Sequence, residues 1–76
     1  MNNKRRKSLS ILHDKIEEIK TELETIRDGE QEYVDNIPES LQSSDKYEAA
    51  ESAVLDMDDI INSLDDSINT IKGIII

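Results

Sequence analysis

Cysteine, tryptophan and phenylalanine are absent from this chain. Two tyrosines, two glycines, one proline and one histidine are all that interrupt its aliphatic, polar and charged residues. Without cysteine there is no disulfide and no thiolate metal site. His13 is a lone histidine with no His or Cys companion, it lies beside the apolar pattern, and it is expected at the surface. Asp56, Asp58, Asp59, Asp65 and Asp66 lack the alternating ligands, glycine and terminal glutamate of a calcium-binding loop, so no metal is expected. No nucleophile–base pair and no glycine-rich phosphate loop stand out, which points away from an enzyme and from any cofactor. No apolar run approaches the roughly 20 residues that span a bilayer. The basic N-terminus is not followed by the apolar stretch of a signal peptide. The expected location is the cytoplasm.

What the chain does have is charge and periodicity. Nine basic residues against eighteen acidic ones give a net charge of −9. Lys4, Arg5, Arg6 and Lys7 form one basic block, and residues 8–76 carry −13. A body that negative does not suit direct DNA binding; it suits a basic partner.

Two heptad seams run through it. Leu9, Leu12, Ile16, Ile19, Leu23 and Ile26 form the first. Tyr47, Ala50, Val54, Met57, Ile61, Leu64, Ile68 and Ile71 form the second. Gaps alternating between three and four put each set on one helix face. The spacing predicts helix 1 over about 5–34, a connector over 35–44, helix 2 over about 45–72 and an apolar tail over 73–76. Residues 1–4 are expected to fray. Gly29 weakens or kinks helix 1, Pro38 keeps Ile37 out of the helical region, and Gly73 is a natural C-terminal stop. Ser44 and Asp45 are both candidate caps for helix 2. Ile37 and Leu41 are expected to plug the closed end.

Each helix is about 45 Å long at 1.5 Å per residue. The connector cannot span that length, so the helices run antiparallel. Tyr33 then faces Tyr47, Lys15 lies near Asp65 and Asp66, and Lys20 lies near Asp58 and Asp59. The fold class is all-α: two long antiparallel amphipathic helices in a single hairpin domain.

A chain of 76 residues buries only about 60% of its unfolded surface. Two helices sharing one seam leave their core half wet. Helix 2 also carries a second apolar column, Ala53, Ile60 and Ile74, broken by Ser67, that one hairpin does not need. These residues are the expected oligomer interface, and a homodimeric four-helix bundle is the expected assembly. Lys4–Lys7 at the open end and Glu30, Glu32, Asp35, Glu39, Asp45 and Glu48 at the closed end favour an antiparallel dimer.

Two groups are candidate binding residues. Lys4, Arg5, Arg6 and Lys7 would hold phosphate, although a solvated terminal run is the plainer reading. Gln31, Tyr33, Asn36, Gln42 and Tyr47 cluster around the connector and would stack on and hydrogen-bond a base or peptide. For the tyrosines, the plainer reading is core packing with hydroxyls at the rim.

Residues 30–44 read EQEYVDNIPESLQSS, followed by Tyr47 and Ala49-Ala50-Glu51. This stretch resembles an uncharacterised family of short acidic helical-hairpin proteins from low-GC Gram-positive bacteria, their phages and mobile elements. That family shares an acidic DN-(I/L/M)-PE-x-LQ-x-S connector ahead of a long heptad helix. The resemblance covers roughly residues 20 to 71 and supplies no catalytic residues. It implies a phage or mobile-element protein inside a bacterial host cell, where small proteins act by stoichiometric binding. The expected function is non-enzymatic: anti-defence sequestration of a small anionic host signalling nucleotide by a homo-oligomer. An acidic nucleic-acid mimic that inhibits a basic host protein is the alternative, and a structural or assembly adaptor is a further one.

Overall fold

The computed structural model describes residues 1–76. Helix α1 spans Asn3–Asp35 and helix α2 spans Asp45–Ile75, joined through a single 3-10 turn at Glu39–Leu41. The helices run antiparallel as a hairpin 59 Å long and 14 Å across. Neither helix is long and apolar enough to cross a membrane.

Each helix begins at a side-chain cap. Asn2 accepts the Arg5 backbone N–H through its Oδ1 at 2.8 Å, and Ser44 accepts the Tyr47 N–H through its Oγ at 3.2 Å. Each cap satisfies one of the free N–H groups that every helix start leaves. The Asn2 cap is why α1 starts at Asn3 and the first residues do not fray as the sequence suggested. Ser44, not Asp45, caps α2. Gly29 sits in unbroken helix. Gly73 does not stop α2, which continues to Ile75, and no glycine has a positive φ. Ile75 explains the extension. It is the next residue in the heptad column of Val54, Ile61 and Ile68, and it is half-buried, so the seam itself holds the last turn.

The connector accounts for its backbone groups locally. Asn36 and Ile37 N–H donate to the Glu32 and Val34 carbonyls at 3.1 and 3.2 Å, and Leu41 N–H donates to the Pro38 carbonyl at 2.9 Å. Ile37 is half-buried, but Leu41 is 54% exposed and does not plug the end.

α2 presents its seam as its spacing implies, with every seam residue buried or half-buried. α1 does not. Leu9, Ile16 and Leu23 face α2, but Leu12, Ile19 and Ile26 are 48, 53 and 63% exposed. The column His13, Lys20, Arg27, Val34 faces α2 in their place, and His13 is only 8% exposed, not a surface residue. The physical reason is a matched charge spacing. Lys20 pairs with Asp65, and Arg27 Nε with Asp58 Oδ1 at 2.8 Å. Both the two cations and the two carboxylates are one heptad apart, so both pairs form together when α1 turns toward them. The cation stems then cover the seam while their heads reach its edge. The pairing also corrects the register. Lys20 meets Asp65, not Asp58 or Asp59, a slide of more than one helical turn. The 3-10 turn carries the chain beyond the end of α1 before Ser44 starts α2.

The hairpin therefore has two unlike flanks. One carries the Lys20–Asp65 and Arg27–Asp58 pairs. On the other, helical geometry places the α1 column Leu12, Ile19, Ile26, Tyr33 beside the α2 column Ala53, Ile60, Ile74. A groove shared by Tyr33, Ala50 and Ala53 marks the closed end of that flank. Only Val34, Ala50, Val54, Ile68 and His13 are buried, and no side chain is fully enclosed. One hairpin leaves its core half wet.

Candidate functional site

The closed end holds the most ligand-like concavity. The short connector leaves a cleft of about 500 Å³ between the end of α1 and the start of α2. Tyr33, Ile37, Pro38 and Leu41 form its walls, and Asn36, Ser44 and Lys46 contribute its polar groups. The extended conformation of Pro38 (φ −59°, ψ 147°) opens it by holding the 3-10 turn away from α1. Tyr33 is half exposed at the wall of the cleft. An apolar wall with an exposed aromatic ring and a few polar groups suits a planar group held by stacking and edge hydrogen bonds.

Of the five connector residues expected to bind, this cleft gathers two, Tyr33 and Asn36. Gln31 is turned aside, its Nε2 donating to Asp35 Oδ1 at 2.8 Å. Gln42 reaches back to the Ile37 carbonyl at 3.5 Å. Tyr47 packs on the cluster of Val34, Ala50 and Val54, as the plainer reading had it, whereas Tyr33 departs from that reading. The Tyr47 hydroxyl is held above the ordinary phenol range, first by hydrogen bonding to Glu51, then by burial and by the Glu51 and Asp35 charges. Sequence reasoning missed Lys46. Its signal was available: it is the only cation between Arg27 and Lys72.

The basic block is not one cluster. Lys4, Arg5 and Lys7 are exposed around the first turns of α1. Arg6 is half-buried, with Nη1 donating to Asn3 Oδ1 at 3.1 Å and Nε buried without a partner. The block lies at the opposite end of the rod from the cleft, so one chain cannot apply both to one small ligand. Ala53, Ile60 and Ile74 lie on the apolar flank, Ile60 and Ile74 being 49 and 44% exposed.

The remaining charged groups are arranged for structure. Hydrogen bonds to Asp65 and Asp58 hold the Lys20 ammonium and the Arg27 guanidinium above their ordinary ranges. His13 Nδ1 is 3.1 Å from Asp14 Oδ1, and Nε2 is 3.6 Å from Glu17 Oε1, too long for a hydrogen bond. The ligand atoms of His13, Asp14 and Glu17 come within 4.8 Å of one another. The two carboxylates lie nearest different ring nitrogens and bracket the imidazole, and His13 Nε2 is buried without a hydrogen-bond partner. Along the outward ridge of α1, Asp14, Glu17, Glu18, Thr21 and Glu22 line a shallow surface without an apolar side chain.

Comparisons with protein-family models, with curated proteins and with solved structures returned no match.

Proposed function

We propose that this chain is a non-enzymatic binding protein that captures a small anionic nucleotide stoichiometrically, as a homo-oligomer. The connector cleft carries this reading. Tyr33 offers a stacking face, Asn36 and Ser44 offer hydrogen bonds to a base edge, and Lys46 offers one positive charge. Phosphates need more cations than Lys46 alone, and the acidic residues around the cleft oppose them. The exposed Lys4, Arg5 and Lys7 of a second subunit supply that charge when the subunits pack side by side in opposite directions. The resemblance to phage and mobile-element proteins adds a context, in which the captured nucleotide is a host defence signal.

Calorimetric titration with a panel of mononucleotides and linear and cyclic dinucleotides tests this. At least one should bind with a Kd in the micromolar range or below. Tyr33→Ala and Lys46→Glu should each weaken it by about tenfold or more, the worth of about 1.4 kcal/mol. Native mass spectrometry of protein from phage-infected cells should show the same mass carried by the oligomer. A panel without binding, together with ligand-free oligomer from infected cells, defeats the reading.

The acidic ridge of α1 favours a second reading, inhibition of a basic host protein by mimicry of a phosphate backbone. Such a complex should weaken steeply as salt rises. Binding indifferent to salt speaks against it.

A further inference from the structure

We infer that the apolar flank of the hairpin docks on the same flank of a second copy, turned end for end, so that the Arg5 of one chain lies over the Tyr33 of the other. This deepens the oligomeric part of the proposed function by naming the face, the orientation and the composite site.

The first support is the flank itself. Leu12, Ile19, Ile26, Ile60 and Ile74 are between 44 and 63% exposed, the first three in an unbroken heptad column and the last two in a column that only Ser67 interrupts. Isolated exposed aliphatic residues are ordinary, as Ile11 and Leu55 are here, but a continuous stripe along a rod marks an interface. The stripe follows the long axis of a hairpin 59 Å in length, so a second copy can meet it along most of the rod.

The second support is self-complementarity, which an interface about a two-fold axis demands. On α1 the outward column is Arg5, Leu12, Ile19, Ile26, Tyr33. Turned end for end about Ile19 it maps onto itself. Ile19 meets the partner's Ile19, Leu12 meets the partner's Ile26, and Arg5 meets the partner's Tyr33. On α2 the column is Ala53, Ile60, Ser67, Ile74. Turned about Ser67, it sets Ile60 against the partner's Ile74. These two centres lie at one height along the rod, because the Lys20–Asp65 pair puts Ile19 level with Asp66 and Ser67. A single axis perpendicular to the helices satisfies both columns.

The third support is charge. The open end exposes Lys4, Arg5 and Lys7, and the closed end carries Glu32, Asp35 and Glu39, all exposed. End-for-end packing brings these opposite signs together at both ends. The arrangement with like ends together instead sets Leu12 against the partner's Ile74 and Ile26 against the partner's Ile60. Its apolar contacts are also good, but it stacks cations on cations and carboxylates on carboxylates, which selects against it. End-for-end packing sets Arg5 beside the partner's Tyr33. It also brings the basic block to the partner's connector cleft, where one chain alone places a single lysine.

Because the chain has no cysteine, disulfide trapping reads this geometry directly. Ile19→Cys alone and Ser67→Cys alone should each give covalent dimers on mild oxidation, at least tenfold faster than Thr25→Cys on the outer face. A mixture of Leu12→Cys and Ile26→Cys chains should link chiefly as the mixed pair. Sedimentation of the unaltered protein should give twice the 8.7 kDa chain mass. A monomer at micromolar concentrations overturns the inference. So does linking that needs Ile19→Cys mixed with Ser67→Cys, since only the like-ends arrangement joins those positions. The trapping is done without nucleotide, so a failure to capture nucleotides leaves it intact, and a failure to link leaves the nucleotide titration to be judged separately.

Discussion

Along one flank of the hairpin Lys20 meets Asp65 and Arg27 meets Asp58; along the other, Leu12, Ile19 and Ile26 stay 48, 53 and 63% exposed. Both flanks arise from the same seven-residue repeat on α1. Their difference shows that a heptad pattern specifies a helix and an apolar stripe, but not which neighbour the stripe packs on. Here the charge pairs turn α1 toward α2 by its mixed column, and the purely aliphatic column is left facing outward. The charged flank aligns the two helices of one chain, and the aliphatic flank is free for a second chain.

The comparison breaks most visibly at the seam between the flanks. Ile68 is 5% exposed on α2. Ile68→Asp places a carboxylate there without a partner and should cost about 3 kcal/mol or more. For a hairpin with so small a core, the far-ultraviolet helical signal should be lost at ordinary temperature. Retention of that signal would mean that the seam contributes less than its burial implies.

Ile19→Glu probes the aliphatic flank and should act differently. The side chain is already half exposed, so the hairpin does not need it. The assembly should fall from twice the chain mass to the chain mass, and the melting temperature should stop depending on protein concentration. An unchanged mass would leave the flank without its assigned role.

A smaller effect of opposite sign is expected at Gly29, which lies on neither flank. Its φ is not positive, and a Cβ built there meets nothing within 4 Å. Gly29→Ala should therefore stabilise the protein by about 0.5–1 kcal/mol, read as a raised melting temperature. Destabilisation would reveal a close approach by another subunit at that face.

The architecture was legible because alternating three- and four-residue gaps, an isolated proline and a capping serine each act locally. Helices, antiparallel course and connector follow from them. The rotation of α1 and the slide in register were not legible. They depend on Lys20 and Arg27 reaching Asp65 and Asp58 together, and long cations can pair with several carboxylates until the geometry selects one set. His13 was placed outside for the same reason, since its column looks polar until it is seen to face α2. At the candidate site, Tyr33 and Asn36 were found from clustering in the sequence. Lys46 belongs to the first turn of α2, and only the turn through Pro38 brings it to Tyr33.

The charged flank should respond less to substitution than either apolar surface. Its pairs sit at the edge of the seam, partly open to water and salt, so they select the rotation of α1 while adding little to overall stability. Asp58→Asn should lower the melting temperature slightly in dilute buffer. In about 1 M salt, where the screening length is roughly 3 Å, the difference from the unaltered protein should nearly vanish. A large, salt-independent loss would show the pair to be enclosed, as it would be if a partner covered this flank instead of the aliphatic one.

The smallest expected effect lies where the charged flank reaches the closed end. Glu51 follows the heptad column of Asp58 and Asp65 and lies one turn from Tyr47. Its carboxylate favours the neutral phenol over the phenolate, which raises the Tyr47 pKa in the folded protein. The resulting stabilisation is fully present below the pKa of the unfolded phenol, near about 10. It is lost as pH rises through the higher folded value. At neutral pH it is constant, so it appears only in strongly alkaline titrations. Glu51→Gln should lower the midpoint of one of the two phenolate absorbance steps and leave the helical signal at neutral pH unchanged. If neither midpoint moves, Glu51 does not govern Tyr47, and burial against Val34, Ala50 and Val54 with the Asp35 charge carries the shift.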